Sequence, residues 1–433
     1  MLAHGVGTRA DLPIPTWLAL YGSGAVVLIS FFALVLLWRQ AKLADNAGGR
    51  ALPPGLQRVV SSAVTRTVVQ VIALLIAGLV LVVALTGPTD AANNIAPWAL
   101  YVTFWVGLIP VSLLLGPFWQ YANPLRLVHR LLSPLAGSAP AAAKVESVGL
   151  WPAAAALSVF VWLELVYPDR SLPGVVGTFL VAYAVVQIVA SLWYGEGWFA
   201  RGDGFEVYST LIARLSPWGV RDDGLWVFRN PLRNVATMPE QSGLAAVVVV
   251  LLGSTAFDGL SRTEFWTTGP GEANDTLSGT LGLIVMIAVV AALYVGGTRL
   301  SGRLGEGDAA AAPSAFAHTV LPIAVGYAVA HYFSLLLLDG QTTWILASNP
   351  FAQSGVDLFG TYGNAVNFVL LSTALIAYVQ VGAIVIGHVL GVFLAHDRSL
   401  RAAAPERVTY GQMPLIVVMV AFTIGGLGLL FGA

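Results

Sequence analysis

Long apolar stretches alternate with short polar ones along nearly the whole chain. A bilayer core about 30 Å thick needs about 20 residues of helix. Ten stretches approach or exceed that length: Trp17–Trp38, Val64–Leu85, Pro97–Leu115, Leu150–Val166, Gly174–Leu192, Gly243–Phe257, Leu277–Thr298, Ala315–Leu338, Val366–Leu394 and Pro414–Leu430. The sixth is short and the ninth is long enough to tilt. The pattern predicts an all-α fold, a polytopic transmembrane helical bundle of about ten spans that forms a single integral membrane domain over residues 1–433. Between Met1 and Thr16 no basic segment precedes an apolar one, so no secretory signal is expected.

The polar stretches then lie alternately on two sides. Eighteen of the 21 Lys and Arg residues fall in one set of loops, and only Arg9, Arg170 and Arg262 in the other. The excess of basic residues marks the cytoplasmic side and puts both termini outside. Trp17, Trp38, Trp98, Trp119, Trp151, Trp193 and Trp266 stand near span ends, as an interfacial aromatic belt does. Composition agrees: 57% of residues are hydrophobic, 10% are charged, and mean hydropathy is +0.79. A soluble domain carries about 25% charged residues, so the partner of this surface is the lipid bilayer. A formal net charge of −1 gives no bulk attraction to nucleic acid. With no cysteine, disulfides, thiolate metal sites and a cysteine nucleophile are excluded.

Two segments outside the spans are long. Residues 193–242 form a cytoplasmic loop in which Phe205–Leu215 reads as an amphipathic helix on the membrane surface. A turn at Arg221–Gly224 and a strand at Leu225–Phe228 suggest a short hairpin. Asn123-Pro124-Leu125-Arg126 recurs as Asn230-Pro231-Leu232-Arg233, either a trace of duplication or the ordinary way helices begin. The outer loop 339–365 has no Lys or Arg and mixes aromatic with small polar residues; it reads as a lid over an outward pocket or as a loop resting at the interface.

Ionisable groups inside a membrane are costly and tend to be functional. Glu164 stands near the outer end of the fourth span and His331 about two turns from the outer end of the eighth, where Asp339 and Gln341 follow. Asp258 and Arg262 flank the outer end of the sixth. Glu164, Asp258, His331 and Asp339 are the candidate catalytic groups; Arg262, Tyr332, Gln341 and Trp344 are the candidates for holding substrate. His4, His331 and Asp258 could hold a divalent metal, which would turn bound water into a nucleophile. Against this, Glu164 could reach the headgroups and His331 could bond between helices. The inner-side His318 and His388 read as packing residues, and His129 and His396 as loop residues.

His4-Gly5 with Arg9-x-Asp11-Leu12-Pro13, Phe257-Asp258-Gly259-x-Ser261-Arg262-Thr263, Ala330-His331-Tyr332-Phe333-Ser334-Leu335 and Ala395-His396-Asp397-Arg398 together resemble bacterial integral membrane proteins known as fenitrothion hydrolase. The resemblance extends over nearly the whole chain. It implies a bacterial cytoplasmic (inner) membrane location, cleavage of an aryl phosphotriester and a membrane protein partner subunit. It carries over no catalytic residue. Three readings follow: a membrane hydrolase with an outward polar pocket, a proton-coupled secondary transporter built around Glu164, and a non-catalytic subunit of a larger membrane complex.

Overall fold

The computed structural model describes residues 15–43, 48–137, 139–221, 223–273 and 275–432. It is overwhelmingly helical. Ten helices overlap the ten apolar stretches: α1 (Thr16–Leu37), α2 (Ala63–Thr86), α3 (Ile95–Leu115), α4 (Trp151–Leu165), α5 (Pro173–Tyr194), α6 (Leu244–Leu260), α7 (Thr276–Leu304), α8 (Leu321–Leu338), α9 (Thr373–Ala402) and α10 (Val408–Phe431). Among the described residues, eight helical runs are long and apolar enough to cross a membrane. These are α1, α2, α3, α5, α7 and α9, with the runs Ala317–Ala347 around α8 and Pro405–Phe431 around α10. The other two are shorter. α4 follows Ala142–Val148 at a bend of 66°, and α6 has 17 residues.

Local sequence explains where these helices start. Ser62, Asp275 and Ser372 accept hydrogen bonds from backbone N–H groups in the first turns of α2, α7 and α9. α4, α5 and α8 carry proline at the first helical positions, where no N–H is needed. Burial then sorts the helices. α2 exposes Val64, Val68, Leu75, Ile76 and Leu85, and α7 exposes Leu281, Ile284 and Val285. α6 buries Leu244, Val247 to Gly253 and Phe257 to Gly259, so it stands at the centre, packed by α4, α7, α8 and α10.

The inner loop departs from the expected surface helix. After α5 ends at Tyr194, the chain turns back along it. Trp198 Nε1 donates to Gln187 Oε1 at 2.7 Å, Gln187 Nε2 to the Gly202 carbonyl at 3.3 Å, and Tyr183 OH to Asp203 Oδ1 at 2.7 Å. Tyr183 lies about 16 Å up the helix from Tyr194 at 1.5 Å per residue. From there Gly204–Ala213 descends as a helix. Phe205 touches the rings of Trp105 and Phe160, and Ser209 Oγ lies 2.7 Å from Ser112 Oγ. This segment is a re-entrant hairpin buried in the bundle, not a helix lying on a surface. Its polar residues are satisfied inside: Glu206 by Arg126 and Ser209 by Ser112. Irregular backbone at such depth is tolerated where protein covers it.

The expected hairpin is present and gains a strand. β1 (Arg50–Ala51), β2 (Trp218–Val220) and β3 (Trp226–Phe228) form an antiparallel sheet in the order β1-β3-β2. Gly219 pairs with Val227 and Arg50 with Phe228. The turn at Gly224 has a φ of +81°, which glycine adopts freely. Asn123 and Asn230 each cap a short helix through the N–H two residues on. Ordinary helix starts account for that echo.

Candidate functional site

Asp258 sits in the last turn of α6 and is 3% exposed. On α8, consecutive residues turn toward it. His331 Nε2 stands 2.7 Å from Asp258 Oδ2, and Tyr332 OH donates to the same oxygen at 3.2 Å. The two rings cross at 86° with centroids 4.8 Å apart. The other oxygen, Oδ1, accepts from Arg262 one turn on, at 2.9 Å. Facing a carboxylate, His331 Nε2 carries the ring hydrogen. Its Nδ1 is buried with no hydrogen-bond partner among the described residues.

Glu164, in the last turn of α4, is 2% exposed. It is enclosed by protein rather than reaching for headgroups. It lies within electrostatic reach of Asp258, Arg170 and Arg262, and of Tyr101, Tyr208 and Tyr332. It makes no hydrogen bond among the described residues. Arg170 and Arg262 are two of the three basic residues that the sequence assigns to the outer side, so both bear on this cluster. Tyr208 belongs to the re-entrant helix and stacks on Trp105 with centroids 4.3 Å apart.

The remaining expected residues stand apart. Asp339 is half-buried at the end of α8, and its carboxylate forms no ion pair among the described residues. Gln341 donates to the carbonyls of Leu337 and Asn367 and accepts from Asn367 N–H, so it ties down the outer loop. Trp344 is 68% exposed. Both lie on a helix, Gly340–Ala347, that packs against α3, where Thr103 and Thr343 share a 2.8 Å hydrogen bond. Nearness to His331 in sequence did not become nearness in space. His4 lies outside the described residues.

Among the described residues no three His, Asp or Glu side chains are grouped so that they could hold a metal ion. Both Asp258 oxygens are already engaged, one of them by a guanidinium, whose charge opposes a cation.

A second polar network lies on the inner side. The Asp203 carboxylate accepts from Tyr183 OH, from Asn123 Nδ2 at 2.8 Å and from the N–H groups of Phe205 and Glu206. Glu206 accepts from Arg126 through both Nε and a terminal nitrogen, and from Asn123. Arg126 also reaches Glu196, which is half-exposed. Sequence reading passed over this network. Its one sequence signal is Asp203-x-x-Glu206 at a helix start, the spacing of a capping box.

No family model, curated protein or solved structure matches the chain. Hydrogen bonds explain one of the sequence motifs. Asp397 accepts from Lys42 N–H, Leu43 N–H and Trp38 Nε1, while His396 meets the Trp38 carbonyl and Gln412. Ala395-His396-Asp397-Arg398 thus clamps the end of α1 to α9 and α10. His396, expected in a loop, is buried in α9.

Proposed function

We propose that this chain is a proton-coupled multi-pass membrane transporter, with ten crossings, both termini outside and a bacterial cytoplasmic membrane as its location. The observation that carries the reading is the Asp258–His331 pair, held between two central apolar helices with Glu164 beside it. Ionisable groups so deep in a helical bundle are costly unless they serve a purpose. Asp258 orients His331 and pairs with Arg262. Glu164, without a hydrogen bond among the described residues, is costly to bury as an anion, which suits it to exchange a proton. The re-entrant hairpin supports the same reading, because broken helices at depth are characteristic of transport sites.

The test is proton movement in proteoliposomes under an imposed pH difference. Wild-type protein is expected to collapse the gradient, and Asp258→Asn and Glu164→Gln to slow it about tenfold or more, a change of ~1.4 kcal/mol in the barrier. Equal rates in all three proteins would sink the proposal.

A second reading rests on the same dyad. A histidine backed by a carboxylate is the arrangement of a general base, and Arg262 would stabilise charge on phosphoryl oxygens. That reading expects purified protein to cleave p-nitrophenyl phosphotriesters, with the activity lost in His331→Gln. It agrees with the resemblance to fenitrothion hydrolase. The close burial of Asp258, His331 and Tyr332 favours proton exchange over a bulky aryl substrate.

A further inference from the structure

The dyad leaves one atom unexplained, and two more belong with it. His331 Nδ1, Tyr327 OH and His388 Nε2 are all buried with no hydrogen-bond partner among the described residues. The three residues are 2%, 6% and 1% exposed. Native interiors seldom leave such atoms unpaired, and ordered water is the usual remedy.

All three lie on one helix pair. α8 and α9 run antiparallel with their backbones drawn together. A Cβ added at Gly326 would stand 2.4 Å from the Ala383 carbonyl oxygen, and one at Gly387 would stand 2.6 Å from that of Pro322. These contacts set the register. Tyr327 is four residues inward of His331, about 6 Å along the axis. His388 adjoins Gly387 and so stands level with Pro322, about 7 Å further inward. The rings of Tyr327 and His331 are nearly parallel, at 16°, with centroids 6.2 Å apart. Ile384, one turn before His388, packs in the same apolar cluster as Tyr327.

Counting hydrogens decides what fills the gaps. The Asp258 carboxylate, paired with Arg262, and the Ile384 carbonyl accept. His331 Nε2 and His388 Nδ1 therefore carry the ring hydrogens, the second donating at 2.8 Å, and the opposite nitrogens present bare lone pairs. Tyr327 has one hydrogen to give. It can satisfy one lone pair, and among the described residues nothing is bonded to the other.

We infer that buried water runs from His331 Nδ1 past Tyr327 OH to His388 Nε2, and that this file carries the dyad's proton inward. Each hop breaks one O–H or N–H bond and forms another on the next atom, so no further reactant is required. The proton role rests on the proposed function above; the waters do not.

The test uses full-length protein in lipid bilayers with isotopically labelled histidine nitrogens. Solid-state magnetic resonance would read magnetisation passing from water to each ring. Transfer to His331 and His388, assigned with His331→Gln and His388→Gln, is expected. Absence of transfer to both overturns the water file, whatever the flux. In proteoliposomes, Tyr327→Phe should slow proton movement about tenfold. Water transfer with undiminished flux in Tyr327→Phe overturns the proton role. Water transfer with undiminished flux in Asp258→Asn sinks the proposed function and leaves the waters in place. The wild-type magnetic measurement stands even where a variant does not fold.

Discussion

The outer and inner polar clusters differ in how fully their atoms are paired. On the inner side, Asp203 takes four hydrogen bonds and Glu206 three, from Tyr183, Asn123, Arg126 and two backbone N–H groups. On the outer side, Asp258 is equally engaged, yet its neighbours are not. His331 Nδ1 and Tyr327 OH have no partner among the described residues, and Glu164 makes no hydrogen bond there. A saturated network fixes the chain in one arrangement; an unsaturated one keeps capacity to bind or pass something on. The inner network is therefore a pin that holds the re-entrant hairpin, and the outer cluster is where chemistry is available.

The sharpest way to break this contrast is to compare stability loss in the two regions. Arg126→Met leaves Glu206, 0% exposed, without its cation. Breaking a buried pair in this way costs about 3–5 kcal/mol. Asp258→Asn keeps a side chain of the same shape, and Tyr332 can still donate to its amide oxygen, so about 1–2 kcal/mol is expected. Unfolding of the purified proteins in detergent, followed by circular dichroism, checks the order. A larger loss for Asp258→Asn than for Arg126→Met would reverse the assignment of pin and site.

The outer residues were legible in sequence because they interrupt apolar runs. Glu164, Asp258 and His331 each stand alone against Val, Leu, Phe and Ala. Their pairing was not legible, since Asp258 and His331 are 73 residues apart and only the packing of α6 on α8 joins them. The inner network was invisible for the opposite reason. Asp203, Glu206 and Arg126 lie in polar loops, where charge is unremarked, and only the climb of the chain beside α5 buries them. The same climb explains the misplaced amphipathic helix: spaced polar residues describe a wet face equally well as a face paired with Arg126 and Ser112. Tyr327 gave no signal at all, being one aromatic among many in an apolar helix.

The smallest effect is expected at Trp344, and it tests whether the outer loop belongs to the site. Trp344 is 68% exposed and sits on the helix that follows α8. A substrate lid closing on the cluster would use such an aromatic, and its removal would alter flux. The packing gives a different expectation. The outer loop is tied by Gln341 to Asn367 and by Ser348 to Thr361, contacts that leave Trp344 facing away from the protein. Trp344→Ala should therefore change stability by less than about 0.5 kcal/mol, as surface substitutions usually do, and leave proton movement as in wild type. A loss of flux comparable to that of Asp258→Asn would instead join this loop to the outer cluster and extend the unsaturated region to the membrane surface.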